Sequence, residues 1–189
     1  MAKKILLGLL ILIVVVGLFV AVSAIGTYNQ LVTLNERVGS SWAQVETVLQ
    51  RRFDLIPNLV NTVKGYAQQE QTVFTEVTRL RSQWGQAQTV AEKAQVAGSL
   101  EGALSRLLVV SERYPELKSN QNFLALQDEL SGTENRIAVE RRRYNEAVQQ
   151  YNTAIRRFPA NIVASLAGFQ AATYFEAAQG AEEAPKVQF

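Results

Sequence analysis

From Ile5 to Ile25 the chain runs for twenty-one residues without a charge, and Ser23 carries the only polar side-chain group. Sixteen of these residues are Leu, Ile, Val or Phe. At about 1.5 Å per residue, a helix of this length covers roughly 31 Å, the thickness of a bilayer's hydrocarbon core. Each such residue near the bilayer centre favours insertion by about 0.3 to 0.6 kcal/mol, or on the order of 5 kcal/mol for the stretch after discounting its ends. Residues 5–25 are therefore predicted to form a transmembrane helix behind a short basic start at 1–4. Everything that follows is displayed from a lipid bilayer.

A cleaved secretory signal is the rival reading, because Lys3 and Lys4 make a basic start and Val22-Ser23-Ala24 offers small residues to a peptidase. Signal apolar regions run about 7–15 residues, however, and this one continues well past that, so a retained anchor is expected. The twenty residues beyond Ile25 hold one basic side chain, Arg37. Positive-inside counting thus places the N-terminus in the cytoplasm and the bulk of the chain on the non-cytoplasmic side. Within the anchor, Gly8 and Gly17 are nine apart and make no strong small-residue dimer motif.

Beyond the anchor the charges cancel. The chain has nineteen basic and seventeen acidic residues, and setting aside Lys3 and Lys4 leaves seventeen of each. A general nucleic-acid binder is basic, so no nucleic-acid partner is expected. Neither Cys nor His occurs, which excludes a disulfide framework and removes thiol nucleophiles, imidazole bases and the usual zinc ligands. There is no glycine-rich phosphate loop. No enzyme activity, cofactor, metal or small-molecule substrate is expected, and 189 residues allow the anchor plus one domain of ordinary size.

From Thr27 onward the pattern is helical, with proline as the main punctuation. Leu31, Leu34, Val38, Trp42, Val45, Leu49, Ile56, Leu59 and Val63 form one apolar stripe on a helix ending near Tyr66. Pro57 lies inside it and crowds the carbonyl of Phe53, predicting a kink or short break with Asp54 able to cap the second half. A second tract carries Val73, Val77, Leu80 and Trp84, then Ala87, Ala91, Ala94, Leu100, Leu104 and Leu107, as one helix or as two joined near residues 84–89. Ala94, Gly98 and Gly102 would permit close approach of a neighbour or mark a loosely packed face. A third tract, capped by Ser119 or Asn120, runs to Phe158 before Pro159. In it Phe123, Leu130, Ile137, Tyr144, Tyr151 and Phe158 recur every seven residues, a coiled-coil-like seam. A short apolar-faced segment, Ile162, Val163, Leu166 and Phe169, then lies against the bundle or a membrane surface. The expected fold is all-α: an N-terminal transmembrane helix, an elongated antiparallel bundle of long helices over 27–169, and a C-terminal tail over 170–189.

Several blocks resemble the LemA family of bacterial membrane proteins: Tyr28-Asn29-Gln30-Leu31-Val32, Gln50-Arg51-Arg52-Phe53-Asp54-Leu55-Ile56-Pro57-Asn58-Leu59-Val60 and Val63-Lys64-Gly65-Tyr66. Leu104 to Val110 with Tyr114-Pro115, Gly132 to Ile137, Arg143-Tyr144-Asn145, Tyr151-Asn152-Thr153 and Phe158-Pro159 follow in the same order. The resemblance implies a single N-terminal span in the bacterial inner membrane, an antiparallel helical bundle and no catalytic residues. Family descriptions place the short N-terminus outside the cell, opposite to the charge count. A LemA-like member is known in the magnetosome membrane compartment, and LemA-like proteins often accompany membrane proteases. Residues 169–175 are richer in alanine than in many members. Two functions follow: a scaffold that self-associates to organise or shape a membrane region, or an adaptor presenting its bundle to an envelope protein partner.

The candidate interaction residues are charged. Arg51-Arg52, Arg141-Arg142-Arg143 and Arg156-Arg157 form basic clusters for intrabundle salt bridges, or for anionic lipid or an acidic partner. Glu134, Glu140 and Glu146 share a helix with many arginines, where paired or solvated charges are the ordinary arrangement. Arg52 stands where the first stripe requires an apolar residue, and Glu140 does the same on the third. The two are expected to pair, or Arg52 to pair with Asp54 or Glu134, fixing register more than adding stability. Trp42, Trp84, Tyr144 and Tyr151 either fill the core, the expected arrangement, or form a contact surface for a partner. The ending Pro185 to Phe189 is expected to be a loose tail or to offer its free end to a carboxylate-binding groove.

Overall fold

The computed structural model describes residues 2–67 and 69–176, with side chains from Leu6 onward. Among the described residues there are six helices and no strand: α1 (Ala2–Lys64), α2 (Gln71–Gln86), α3 (Val90–Ser111), α4 (Pro115–Lys118), α5 (Gln121–Arg156) and α6 (Ala160–Ala167). The proposed ending at 185–189 lies outside the described residues. α1 carries the apolar run and continues without a break beyond it. Its most apolar stretch has a mean hydropathy of 3.1, long and apolar enough to cross a membrane, and none of it is buried by protein. An apolar surface of that extent is stable only against lipid or another apolar partner.

Pro57 does not interrupt α1. A proline in a helix interior costs about 3 kcal/mol, but Phe53, Ile56, Leu59 and Val60, its neighbours along α1, are all buried, and their burial offsets the lost hydrogen bond. Asp54 caps nothing. It accepts a hydrogen bond from Gln50 Nε2 one turn earlier, at 2.9 Å.

The chain divides into two compact units. The first comprises Met1–Ser40 and Glu146–Ala172. Here Arg37 donates to Gln150 Oε1 at 3.2 Å, while Gln30 and Leu34 share a groove with Arg157 and Ala160, so α1 and the end of α5 run in opposite directions. Leu31, Val38, Val148, Tyr151 and Ala164 are its buried residues of note.

The second unit comprises Ser41–Asn145 and Thr173–Phe189. Arg51 pairs with Glu129 at 2.6 Å and Asn120 Nδ2 donates to Tyr66 Oη at 2.9 Å, again an antiparallel arrangement of α1 and α5. Phe53 stacks on Trp84 with ring centroids 4.6 Å apart, and the indole N–H of Trp84 donates to Gln50 Oε1 at 2.9 Å. Trp84, Tyr144 and Tyr151 are buried and Trp42 is half-buried, so all four aromatics serve packing within their units.

The second tract is two helices. Thr89 Oγ1 accepts from the Glu92 N–H at 3.2 Å, and Glu92 Oε2 accepts from the Thr89 and Gln88 N–H groups at 3.0 and 2.8 Å. This capping box starts α3 at Val90, after the break that follows the end of α2 at Gln86. Gly102 stands open, with nothing near a Cβ added there, so the Ala94-Gly98-Gly102 stripe is not a close-approach seam at that point. Ala91 is exposed. Asn120 caps α5 by accepting from the Phe123 N–H at 3.1 Å. The heptad stripe is buried from Phe123 to Tyr151, but α5 ends at Arg156 and Phe158 is 81% exposed.

The hydrogen bonds from Thr89 and Gln88 hold the Glu92 carboxyl below the ordinary carboxylate range. A lowered folded-state pKa contributes stability that is present above the ordinary range and is lost as pH falls through the lowered value. The melting temperature of Glu92→Gln is thus expected to lie below that of the parent at neutral pH, with the gap closing on acidification. Parallel melts across that range test this.

Candidate functional site

Tyr144-Asn145 and Tyr151-Asn152 are the same dipeptide repeated seven residues apart on α5. The heptad phase points both tyrosines inward, and each asparagine, about 100° further round the helix, stands at the edge of the core. Beyond α6 the chain leaves helical structure, and each dipeptide grips a short part of it.

In the first unit, Tyr151 Oη donates to the Gln170 carbonyl at 2.9 Å. Asn152 makes a two-point contact with Ala172: its Nδ2 donates to the carbonyl at 2.9 Å and its Oδ1 accepts from the N–H at 2.8 Å. Phe169 completes the arrangement, with its ring centroid 5.7 Å from Tyr28 and 6.5 Å from Tyr151.

In the second unit, Tyr144 Oη donates to the Thr173 carbonyl at 2.7 Å. Asn145 holds Phe175 by the same two-point contact, at 3.0 and 2.9 Å. The Phe175 side chain is 5% exposed, 6.2 Å from the Trp42 ring and beneath the Arg141 guanidinium at 6.0 Å. Trp42 in turn meets Tyr144 edge-on at 5.4 Å. Burial raises the pKa of both tyrosines, which keeps the phenols protonated as donors.

Both contacts recognise peptide backbone. An asparagine amide offers one donor and one acceptor side by side, matching the N–H and C=O of a single residue. Side-chain identity is read only at Phe169, against Tyr28 and Tyr151, and at Phe175, against Trp42.

The charged residues singled out in the sequence are distributed differently. Arg51 makes the exposed pair with Glu129. Arg52 is 6% exposed, lies 3.8 Å from Glu134 and leaves its Nε without a hydrogen-bond partner. It lines a cavity of about 80 Å³ together with Glu101, Leu104, Ser105 and Glu134. Burial lowers the Arg52 pKa, against the opposing attraction of Glu134 and Glu101. Of the three partners expected for Arg52, Glu134 is the one in place. Glu140 pairs instead with Arg143, three residues along the same helix, at 2.7 Å. Asp54 faces Gln50, Pro57 is half-buried inside α1, Arg141 covers Phe175, and Arg142 is exposed.

Asn145 and Asn152 stand in the motif blocks Arg143-Tyr144-Asn145 and Tyr151-Asn152-Thr153, but sequence reading gives them no role. Their signal was present, because asparagine disfavours a helix interior, and two of them at heptad spacing beside core tyrosines call for a partner off the helix.

Among the described residues, six helices without a strand, one of them long and apolar enough to cross a membrane, and Tyr-Asn pairs pinning the segment after α6 fit a helical, membrane-associated class of protein. The family model described as the LemA family matches residues 41–189, and the chain belongs to that family. It is similar to magnetosome proteins MamQ 1 and MamQ 2 of Paramagnetospirillum magneticum, each 30% identical over 175 residues, which is 79% of this chain and 64% of theirs. It is also similar to magnetosome protein MamQ of Magnetospirillum gryphiswaldense, 27% identical over 174 residues, 78% of this chain and 64% of the relative. The match thus spans less than two thirds of the length of these curated relatives.

Proposed function

We propose that the protein is a non-enzymatic scaffold, anchored in the bacterial inner membrane with its helical units on the non-cytoplasmic side, that self-associates to organise or shape a membrane region. The backbone grip of Asn145 and Asn152 carries this reading. A second copy presents the same Gln170 to Phe175 backbone, and exchange of an identical segment between copies is a low-cost route to assembly. The relatives' description as magnetosome proteins agrees with work at a membrane. The absence of His and Cys from the sequence, and the engagement of Glu134 and Glu140 with arginines, support a role without catalysis.

The same observation favours a second reading, an adaptor in which an extended segment of an envelope protein occupies the grip. Light scattering on the full chain in mild detergent, with the detergent mass subtracted, separates the two. A defined multimer that persists on dilution is expected. A monomer at all concentrations would remove self-association and leave the adaptor.

A further inference from the structure

α6 presents an apolar face that stands exposed among the described residues. Ile162 is 52% exposed and Leu166, four residues further along α6, is 85% exposed, while Phe158, in the turn two residues before α6, is 81% exposed. Positions four apart fall on one side of a helix. The opposite side is anchored, since Ala164 is 3% exposed. At the end of α6, Gly168 takes φ 76°, the left-handed conformation that glycine adopts without strain. The Gly168 and Phe169 N–H groups close back onto Ser165 and Ala164, fixing where Phe169 goes.

Phe169 meets Tyr28 at 5.7 Å between ring centroids. Tyr28 is three residues beyond Ile25, the end of the apolar run, or about 4.5 Å of helical rise. Arg157 and Ala160 lie beside Gln30, Leu31 and Leu34, only slightly further along. α6 therefore sits within the first unit at the level where the span leaves the hydrocarbon. An apolar helix face held there, preceded by the exposed Arg156 and Arg157, has the composition of an interfacial helix: apolar side chains for the acyl boundary and arginines for lipid phosphates.

We propose that α6 is a second membrane contact, in which Phe158, Ile162 and Leu166 enter the bilayer interface around the mouth of the span. A chain held at two points on one leaflet cannot swivel freely about its anchor, and the first unit keeps a defined tilt against the lipid surface. The inference rests on residues 5–25 crossing the bilayer.

The chain has no cysteine, so one engineered thiol gives one labelled site. Full-length Leu166→Cys, Val14→Cys and Glu36→Cys, each carrying an environment-sensitive NBD dye, are placed in nanodiscs of phosphatidylcholine and phosphatidylglycerol with or without nitroxide on the acyl chains. Val14 lies in the apolar run, whereas Glu36 is exposed on α1 about 16 Å beyond its end. The label at 166 is expected to emit to the blue of the label at 36, and shallow nitroxide lipid is expected to quench it at least about twofold more strongly. Deep nitroxide should quench the label at 14 most. Quenching at 14 with none at 166 overturns the interfacial helix while leaving the span intact, as does a blue-shifted label at 166 that lipid nitroxide leaves unquenched. Loss of quenching at 14 overturns the span itself. Leu166 supports no protein packing, so its substitution leaves the fold intact.

Discussion

Phe175→Ala is expected to release the segment after α6 from the second unit while α1 to α5 stay folded. Ordering the three residues from Thr173 to Phe175 costs about 1–2 kcal/mol each in backbone entropy. The three hydrogen bonds from Tyr144 and Asn145 return about 1 kcal/mol apiece, which leaves the balance near zero or below. The surplus comes from the Phe175 ring, whose burial contributes about 1.5–3 kcal/mol, with about 0.5–1.5 kcal/mol more from its aromatic contact with Trp42. Without the ring the segment is held by backbone contacts that only offset their own ordering. Local opening then replaces global unfolding.

Amide hydrogen exchange measures this directly. The N–H of residue 175 donates to Asn145 and should lose about a hundredfold or more in protection in Phe175→Ala, since each 1.4 kcal/mol is a factor of ten. Amides in the middle of α5 should be unchanged. If exchange of this segment between copies holds the protein together, the mass by light scattering should fall in the same variant. Unchanged protection at residue 175 would mean that Asn145 and Tyr144 suffice and that the pocket of Trp42 and Arg141 is ornamental.

Most of the helical framework was visible in the sequence because it is periodic. All nine stripe positions on α1, from Leu31 to Val63, lie in packed parts, with Leu34 and Trp42 half-buried and the other seven buried. The exception in kind is Arg52, which the stripe also predicted to turn inward. Periodicity fails where a helix ends for local reasons. Phe158 keeps the heptad count but falls two residues after the end of α5, so it faces out. The capping box at Thr89 and Glu92 lies in the chain as Thr-Val-Ala-Glu, a recognisable signature, yet the apolar pattern on either side also permits one long helix. What sequence reading did not reach was the partner of Asn145 and Asn152. Their bonds go to backbone groups twenty and thirty residues away, and backbone has no sequence signature. Residues 170–175, placed within the tail at 170–189, contain the buried Phe175 among alanines.

Arg52 is where removal of a charge is expected to strengthen the fold. The residue is 6% exposed, Glu134 stands at 3.8 Å with its own side chain 56% exposed, and Nε has no hydrogen-bond partner among the described residues. A carboxylate that wet returns little of the desolvation cost, as the lowered Arg52 pKa also indicates. Replacing a poorly paired buried cation by an apolar side chain of similar length is often neutral or stabilising by about 1–4 kcal/mol. Arg52→Met should therefore match or exceed the parent in thermal and denaturant unfolding. Arg52→Ala should fall below it by about 2–4 kcal/mol, because truncation enlarges the cavity of about 80 Å³ already beside the side chain. The opposite order, with Met as costly as Ala, would show that the charge itself holds α1 against α5. If Arg52 instead fixes register, Arg52→Met should unfold at a higher temperature than the parent and yet broaden the distribution of assembled masses, since the helices would then be free to pair in more than one alignment. A stabilised variant with an unaltered mass distribution would remove the register role and leave Arg52 as a buried charge that the second unit merely tolerates.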